Sequence, residues 1–138
     1  MKTLTMYNNS LIGKGGVTTF VKNFCKRMSK HYVITLVFHK ADNKTLMELS
    51  QYVNIKQYSA HITDKVVILS SNANNVKINS KNVIQVLHAD YKEQKKHFNI
   101  DYVKNPSTTK HVAVGEHVKE VFESMYPYKV DKVIYNLL

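Results

Sequence analysis

Two short stretches of this sequence carry residue types that do chemistry at a strand end. The first is Gly13-Lys14-Gly15-Gly16, set between an apolar run and a segment of helical periodicity. Glycines there admit positive φ and close backbone approach, and a helix N-terminus offers free N–H groups to an anion. The loop reads as a phosphate cradle or, as simply, as a tight turn. The second is His88-Ala89-Asp90, which closes an apolar run; Ser70-Ser71 and Gly115-Glu116 close two others. A histidine in that position is either a satisfied structural group or a site residue.

Several chemistries fail on spacing. Gly15-Gly16-Val17 is followed by Thr18-Thr19-Phe20, without the Gly-Lys-Ser/Thr unit whose lysine and hydroxyl a P-loop needs for phosphate and Mg²⁺. The dinucleotide fingerprint fails at Thr18, where its third glycine belongs, and no acidic residue ends the second apolar run. The histidines show no metal-ligand spacing with Cys25 or with one another, so no metal site is expected. No Gly-x-Ser-x-Gly elbow exists, and nothing suggests hydrolysis.

The elements that must position these residues alternate. Lys2 to Tyr7 reads as a first strand, and Val17, Phe20, Val21, Phe24 and Met28 give an amphipathic helix to about Lys30. Tyr32 to Phe38 is apolar almost throughout, the mark of a strand buried on both faces. Asp42-Asn43 caps a second helix carrying Leu46 and Leu49. Strands are expected at Val53 to Tyr58, Val66 to Leu69, Val83 to Leu87, His111 to Val114 and Val130 to Tyr135. Residues Lys92 to Pro106 read as a short helix and a mobile loop, and Val118, Val121, Phe122 and Met125 share one face of a last helix. This alternation predicts one α/β domain, a doubly wound and mainly parallel sheet of about six or seven strands. Ligands of such sheets sit at the carboxyl ends of the strands, so the glycine loop and His88 should share one concave surface.

At 138 residues and 43% apolar, the chain can bury roughly two thirds of its unfolded surface without disulfides. Its single cysteine, Cys25, lies in the first helix's apolar pattern and reads as a buried thiol in a reducing compartment. Met1 to Asn9 is too short and too polar for a signal peptide, and no run reaches the ~18 apolar residues of a membrane span. The net charge of +10 is almost all lysine, with Arg27 alone among 20 basic residues. Arginine forks dominate base-edge readout, so nucleic acid is not the expected partner. Lys22, Lys26 and Lys30, joined by Arg27, repeat along the first helix as a solvated face or as a stripe for an anionic membrane surface.

Taken in order, the Gly15-Gly16-Val17 loop, the His88-Ala89-Asp90 strand end, Val112-Ala113-Val114-Gly115-Glu116 and the closing Val133-Ile134-Tyr135-Asn136 resemble family 4 glycosyltransferases. The resemblance spans the whole chain. It implies the GT-B architecture of two facing Rossmann-like domains, with residues 1–138 as the N-terminal, acceptor-side domain and the donor-binding half outside this sequence. It implies that Gly15 and Gly16 lie against the donor diphosphate, that Thr18 and Asp90 meet the acceptor, and that His88 is catalytic and faces the transferred sugar. Gly115 replaces the family's usual serine, and Asn136, which marks the approach to the linker, is followed by Leu137 rather than glycine. The absence of Asp-x-Asp speaks against the metal-dependent GT-A architecture.

The implied reaction moves a hexosyl group from a nucleotide-diphosphate sugar to an acceptor hydroxyl, with retention and without metal or cofactor. The acceptor is a sugar, a lipid-linked saccharide or a polymer, in cell-surface polysaccharide or glycolipid synthesis. The implied location is cytoplasmic, with the inner face of the membrane as an attachment surface. This chain alone is expected to bind acceptor weakly and transfer nothing. The alternative is a small basic α/β module that binds nucleic acid or another anionic partner, which the charge favours and the scarcity of arginine does not.

Overall fold

The computed structural model describes residues 1–13 and 15–135. In chain order the first half holds β1 (Lys2–Tyr7), β2 (Ser10–Leu11), α1 (Gly16–Met28), β3 (Tyr32–Phe38), β4 (Lys40–Ala41), α2 (Asn43–Leu49) and β5 (Asn54–Gln57). The second half holds β6 (Ile62–Thr63), β7 (Val67–Leu69), β8 (Ile78–Asn79), β9 (Val83–Leu87), α3 (Tyr91–Phe98), β10 (Lys110–Ala113), α4 (Glu116–Met125) and β11 (Lys132–Val133).

Seven strands form one all-parallel sheet in the order β11-β10-β9-β7-β1-β3-β5. The architecture is the expected Rossmann-like, doubly wound α/β fold. The chain winds outward from β1 through β3 to β5, then returns to β7 on β1's other side and winds the opposite way. That reversal puts a topological switch point between the ends of β1 and β7.

Alternation along each strand divides the core into two layers. Leu4, Met6, Ile34 and Leu36 turn to one face and pack with Val21 and Cys25 of α1 and Leu49 of α2. Leu87 and Ala113 turn to the other face and pack with Tyr91 of α3 and Phe122 of α4. Leu36, Val21, Cys25 and Phe122 are all fully buried, each such apolar side chain contributing roughly 1.5–3 kcal/mol. Because α3 and α4 both lie on the second face, no described helix covers the first face beyond α1. Ile68, Ile84 and Val112 form the floor there of an apolar groove of about 330 Å³.

Some elements differ from the sequence pattern. Val130 to Tyr135 yields only the two residues of β11, because it pairs solely with the end of β10 at the sheet's edge. Two small parallel pairs, β2 with β4 and β6 with β8, come from polar loop segments with no apolar period. The loop after α3, expected to be mobile, is pinned instead. Asn105 is 1% exposed and its amide donates to the carbonyls of Ala73 at 2.7 Å and Val76 at 2.8 Å.

Candidate functional site

At the switch point, the segments after β1, β7 and β9 meet the first turn of α1. Asn9, Ser70, Ser71, Asn72 and His88 line a cavity of about 260 Å³ there, with Val17, Gln94 and Ile100 closing its sides. Its edge is rigid by construction. The Asn9 amide donates to Ser71 Oγ at 2.8 Å, and the Ser70 amide to the Tyr7 carbonyl at 2.8 Å. Beneath them Gln85, 1% exposed in the middle of β9, donates its amide to the carbonyls of Leu69 and Ser71 at 3.2 Å each.

His88 is the one ionisable side chain lining this cavity among the described residues, apart from the Tyr91 phenol. Its Nε2 lies 3.2 Å from Ser70 Oγ, and the edge-on Phe20 ring sits 4.5 Å from its own ring, centroid to centroid. Burial lowers its pKa from 6.5 to about 4, since a charged imidazole here loses its water. His88 is therefore neutral at physiological pH, able to accept or donate one hydrogen bond at Nε2 according to tautomer. The same burial pushes the Tyr91 phenol well above its ordinary value, with Tyr126 adding to the shift.

The glycine loop stands beside this cavity. Gly15 caps α1 in extended conformation with no side-chain hydrogen bond, and no acidic residue occupies the first turn. Among the described residues no side chain caps the helix mouth, which therefore keeps its partial positive charge. Gly13 alone of the described loop residues requires glycine's freedom, at φ 79°, and its amide donates to Asp42 Oδ2 at 3.1 Å. Hydrogen bonds from the Thr45 side chain and amide, then from Gly13, hold the Asp42 carboxyl at about 2. Gly16 has no positive φ, and a Cβ added to it or to Gly15 meets nothing within 4 Å. Lys14 and Asn136 lie outside the described residues.

The other sequence-predicted residues are placed differently. Thr18 is 5% exposed, on the side of α1 that also buries Val21 and Cys25, and does not line the His88 cavity. Asp90 is the N-cap of α3: its Oδ1 accepts from the Lys92 and Glu93 amides at 3.1 and 3.2 Å. Its Oδ2 meets His117 Nε2 of α4 at 2.8 Å. The His117 side chain and the capped amides hold the Asp90 pKa below its ordinary value. Gly115 caps α4 in extended conformation, and a Cβ there also meets nothing within 4 Å, so space does not exclude a serine. Cys25 is fully buried, and burial raises its thiol pKa to about 12.

Sequence reading passed over His117, Ser70's contact with His88 and the buried Gln85. The first two depend on contacts between different loops, which no local pattern announces. Gln85 had a signal, since it is the one polar residue inside an apolar strand. Among the described residues no three His, Cys, Asp or Glu side chains converge as a metal site would need, and no helix is long and apolar enough to cross a membrane. No protein-family model matches the sequence, and neither a curated protein nor a solved structure matches it.

Proposed function

We propose that this chain is the acceptor-side domain of a GT-B glycosyltransferase, with the switch-point cavity as the seat of the sugar hydroxyls. One observation carries the reading. A cavity of about 260 Å³, lined by Asn9, Ser70, Ser71, Asn72 and a neutral His88, opens beside a helix mouth that no described side chain caps. Neutral hydrogen-bonding groups suit a polyhydroxylated ring, and the bare α1 terminus suits a diphosphate arriving from a donor-binding half. In this reading His88 hydrogen-bonds the transferring sugar, and its low basicity keeps positive charge out of the pocket. Gly15 and Gly16 let the diphosphate approach the backbone, where developing leaving-group charge meets fixed amide dipoles.

The test is amide-resolved NMR titration of the chain with pyrophosphate, nucleoside diphosphates and neutral oligosaccharides. The expected result is that diphosphates shift Gly16 and Val17 while saccharides shift Ser70, Ser71 and His88. Shifts elsewhere, or none, would overturn the reading. In a sugar-nucleotide turnover assay the chain alone should show no transfer, and clear transfer above background would refute the division between two domains.

A further inference from the structure

We propose that the end of α3 and the loop following it form a docking surface for an anionic phospholipid bilayer. The α3 helix closes at Asn99, whose left-handed φ of 52° brings its own amide and that of Ile100 back onto the Lys95 and Gln94 carbonyls. This closed turn holds its apolar side chains outward: Phe98 is 69% exposed, Ile100 41% and Val103 50%. The exposure does not come from a loose loop. Tyr102, 4% exposed among these residues, buries its ring against Tyr91, Phe122 and Tyr126, and its amide donates to the Tyr126 hydroxyl oxygen at 3.1 Å.

Charge selects the partner. The segment's two carboxylates are already engaged, Glu93 with His97 at 2.9 Å and Asp101 with Lys95 at 2.7 Å. Lys92 and Lys96, one helical turn apart and both exposed, have no carboxylate within ion-pair distance among the described residues. Two free ammonium groups beside an outward phenylalanine, isoleucine and valine match an interface where aliphatic chains lie beneath anionic headgroups. Single-stranded nucleic acid would use Phe98 as a stacking platform but gains nothing from Ile100 or Val103. The stripe expected on α1 fits a bilayer less well. Lys22 is paired with Glu48 at 3.0 Å, which takes one charge out of that stripe. Because Gln94 and Ile100 also line the switch-point cavity, docking would bring that cavity's rim to the lipid surface. That link to a lipid-carried acceptor rests on the glycosyltransferase reading, whereas the docking itself does not.

Flotation of the 138-residue chain with phosphatidylcholine vesicles, with and without phosphatidylglycerol, tests the surface. Binding is expected only with phosphatidylglycerol, and weaker as salt rises. At about one order of magnitude in partitioning per pair of lysines or more, Lys92→Gln with Lys96→Gln should release the chain. Phe98→Ser with Ile100→Ser should do so too, while Lys26→Gln with Lys30→Gln changes partitioning by no more than about threefold. Thermal melts of each variant establish that the fold is retained. No vesicle binding, equal binding to neutral vesicles, or loss only in the α1 variant would overturn the proposal. So would salt-steep binding to a single-stranded oligonucleotide without any vesicle binding. The assay contains no sugar, so its outcome is separate from success or failure of the glycosyltransferase reading.

Discussion

His88 and His111 are built alike and surrounded differently. Each aims Nε2 at a hydroxyl, His88 at Ser70 Oγ at 3.2 Å and His111 at Tyr102 OH at 2.8 Å. Burial lowers both pKa values; at His111 Lys104 acts in the same direction and Asp131 against it. Yet His111 sits inside its strand, sealed by Phe122 at 5.3 Å and stacked on Tyr128 at 5.4 Å, with its backbone amide held by Asp131 Oδ2 at 2.9 Å. His88 sits just past its strand and shares a cavity wall with Asn9 and Ser71. A lowered pKa and a hydroxyl partner therefore do not tell the two histidines apart. Access to a cavity at the sheet's carboxyl edge separates the two.

The sharpest way to break that contrast is to open the sealed region. Phe122→Ala removes a fully buried ring shared by His111, Tyr102 and Tyr126, and should cost about 3–5 kcal/mol in urea denaturation. The amide spectrum around Asn9 and Ser71 should survive it in native buffer. A cost under about 1 kcal/mol would mean the aromatic nest is not what holds His111.

Acid titration of stability comes next. Above pH 6.5 the imidazole of His88 is neutral in folded and unfolded chains alike, and its contribution is fully present. Between 6.5 and about 4 the unfolded chain binds a proton that the folded site refuses, so stability falls as pH falls. The full loss is about 2–4 kcal/mol, and His88→Asn should flatten this limb. His111→Asn should flatten it less, since Asp131 opposes the shift there. An unchanged acid limb in the His88 variant would place the imidazole in water rather than behind Phe20.

Removing the hydroxyls sharpens the comparison further. Tyr102→Phe strands the buried Nε2 of His111 and should cost about 1–3 kcal/mol. Ser70→Ala should cost about 1 kcal/mol or less, because water in the cavity can replace the lost partner. Equal costs would erase the distinction between a sealed and an open site.

The smallest stability effect is expected at Gly16→Ala. Its φ is not positive and its Cβ would meet nothing within 4 Å, so the variant should melt unchanged or gain up to about 1 kcal/mol from helix propensity. The strain a glycine loop suggests belongs to Gly13 instead. If Gly16→Ala also leaves pyrophosphate-induced shifts intact, the loop is only a turn.

The strands Tyr32–Phe38 and Val83–Leu87 begin and end where the apolar runs do, because burial on both faces leaves a mark in neighbouring residues. The α2 cap at Asp42 was equally legible, as a carboxylate three residues before the Thr45 amide it accepts. The connection from Ser70 to Asn82 was not. It carries β8 and no helix, and it is fixed by bonds from Asn105, which lies 32 residues beyond Ala73. Asp90 shows the same limit. The acceptor role read for it gave no sign of its cap on α3, and its bond to His117 spans 27 residues between two helices.

By itself, the sequence determined the α/β class, the parallel sheet and the edge at which strand-end residues would gather. Those follow from apolar periodicity and chain order, both properties of near neighbours. Only the tertiary structure decided that His88 and not His111 faces a cavity, that Thr18 turns inward, and that Asp90 spends its carboxylate on α3 and His117. Exposure and partner choice are set by contacts from distant segments, and Ser70 reaches His88 across 18 residues through the pairing of β7 with β9.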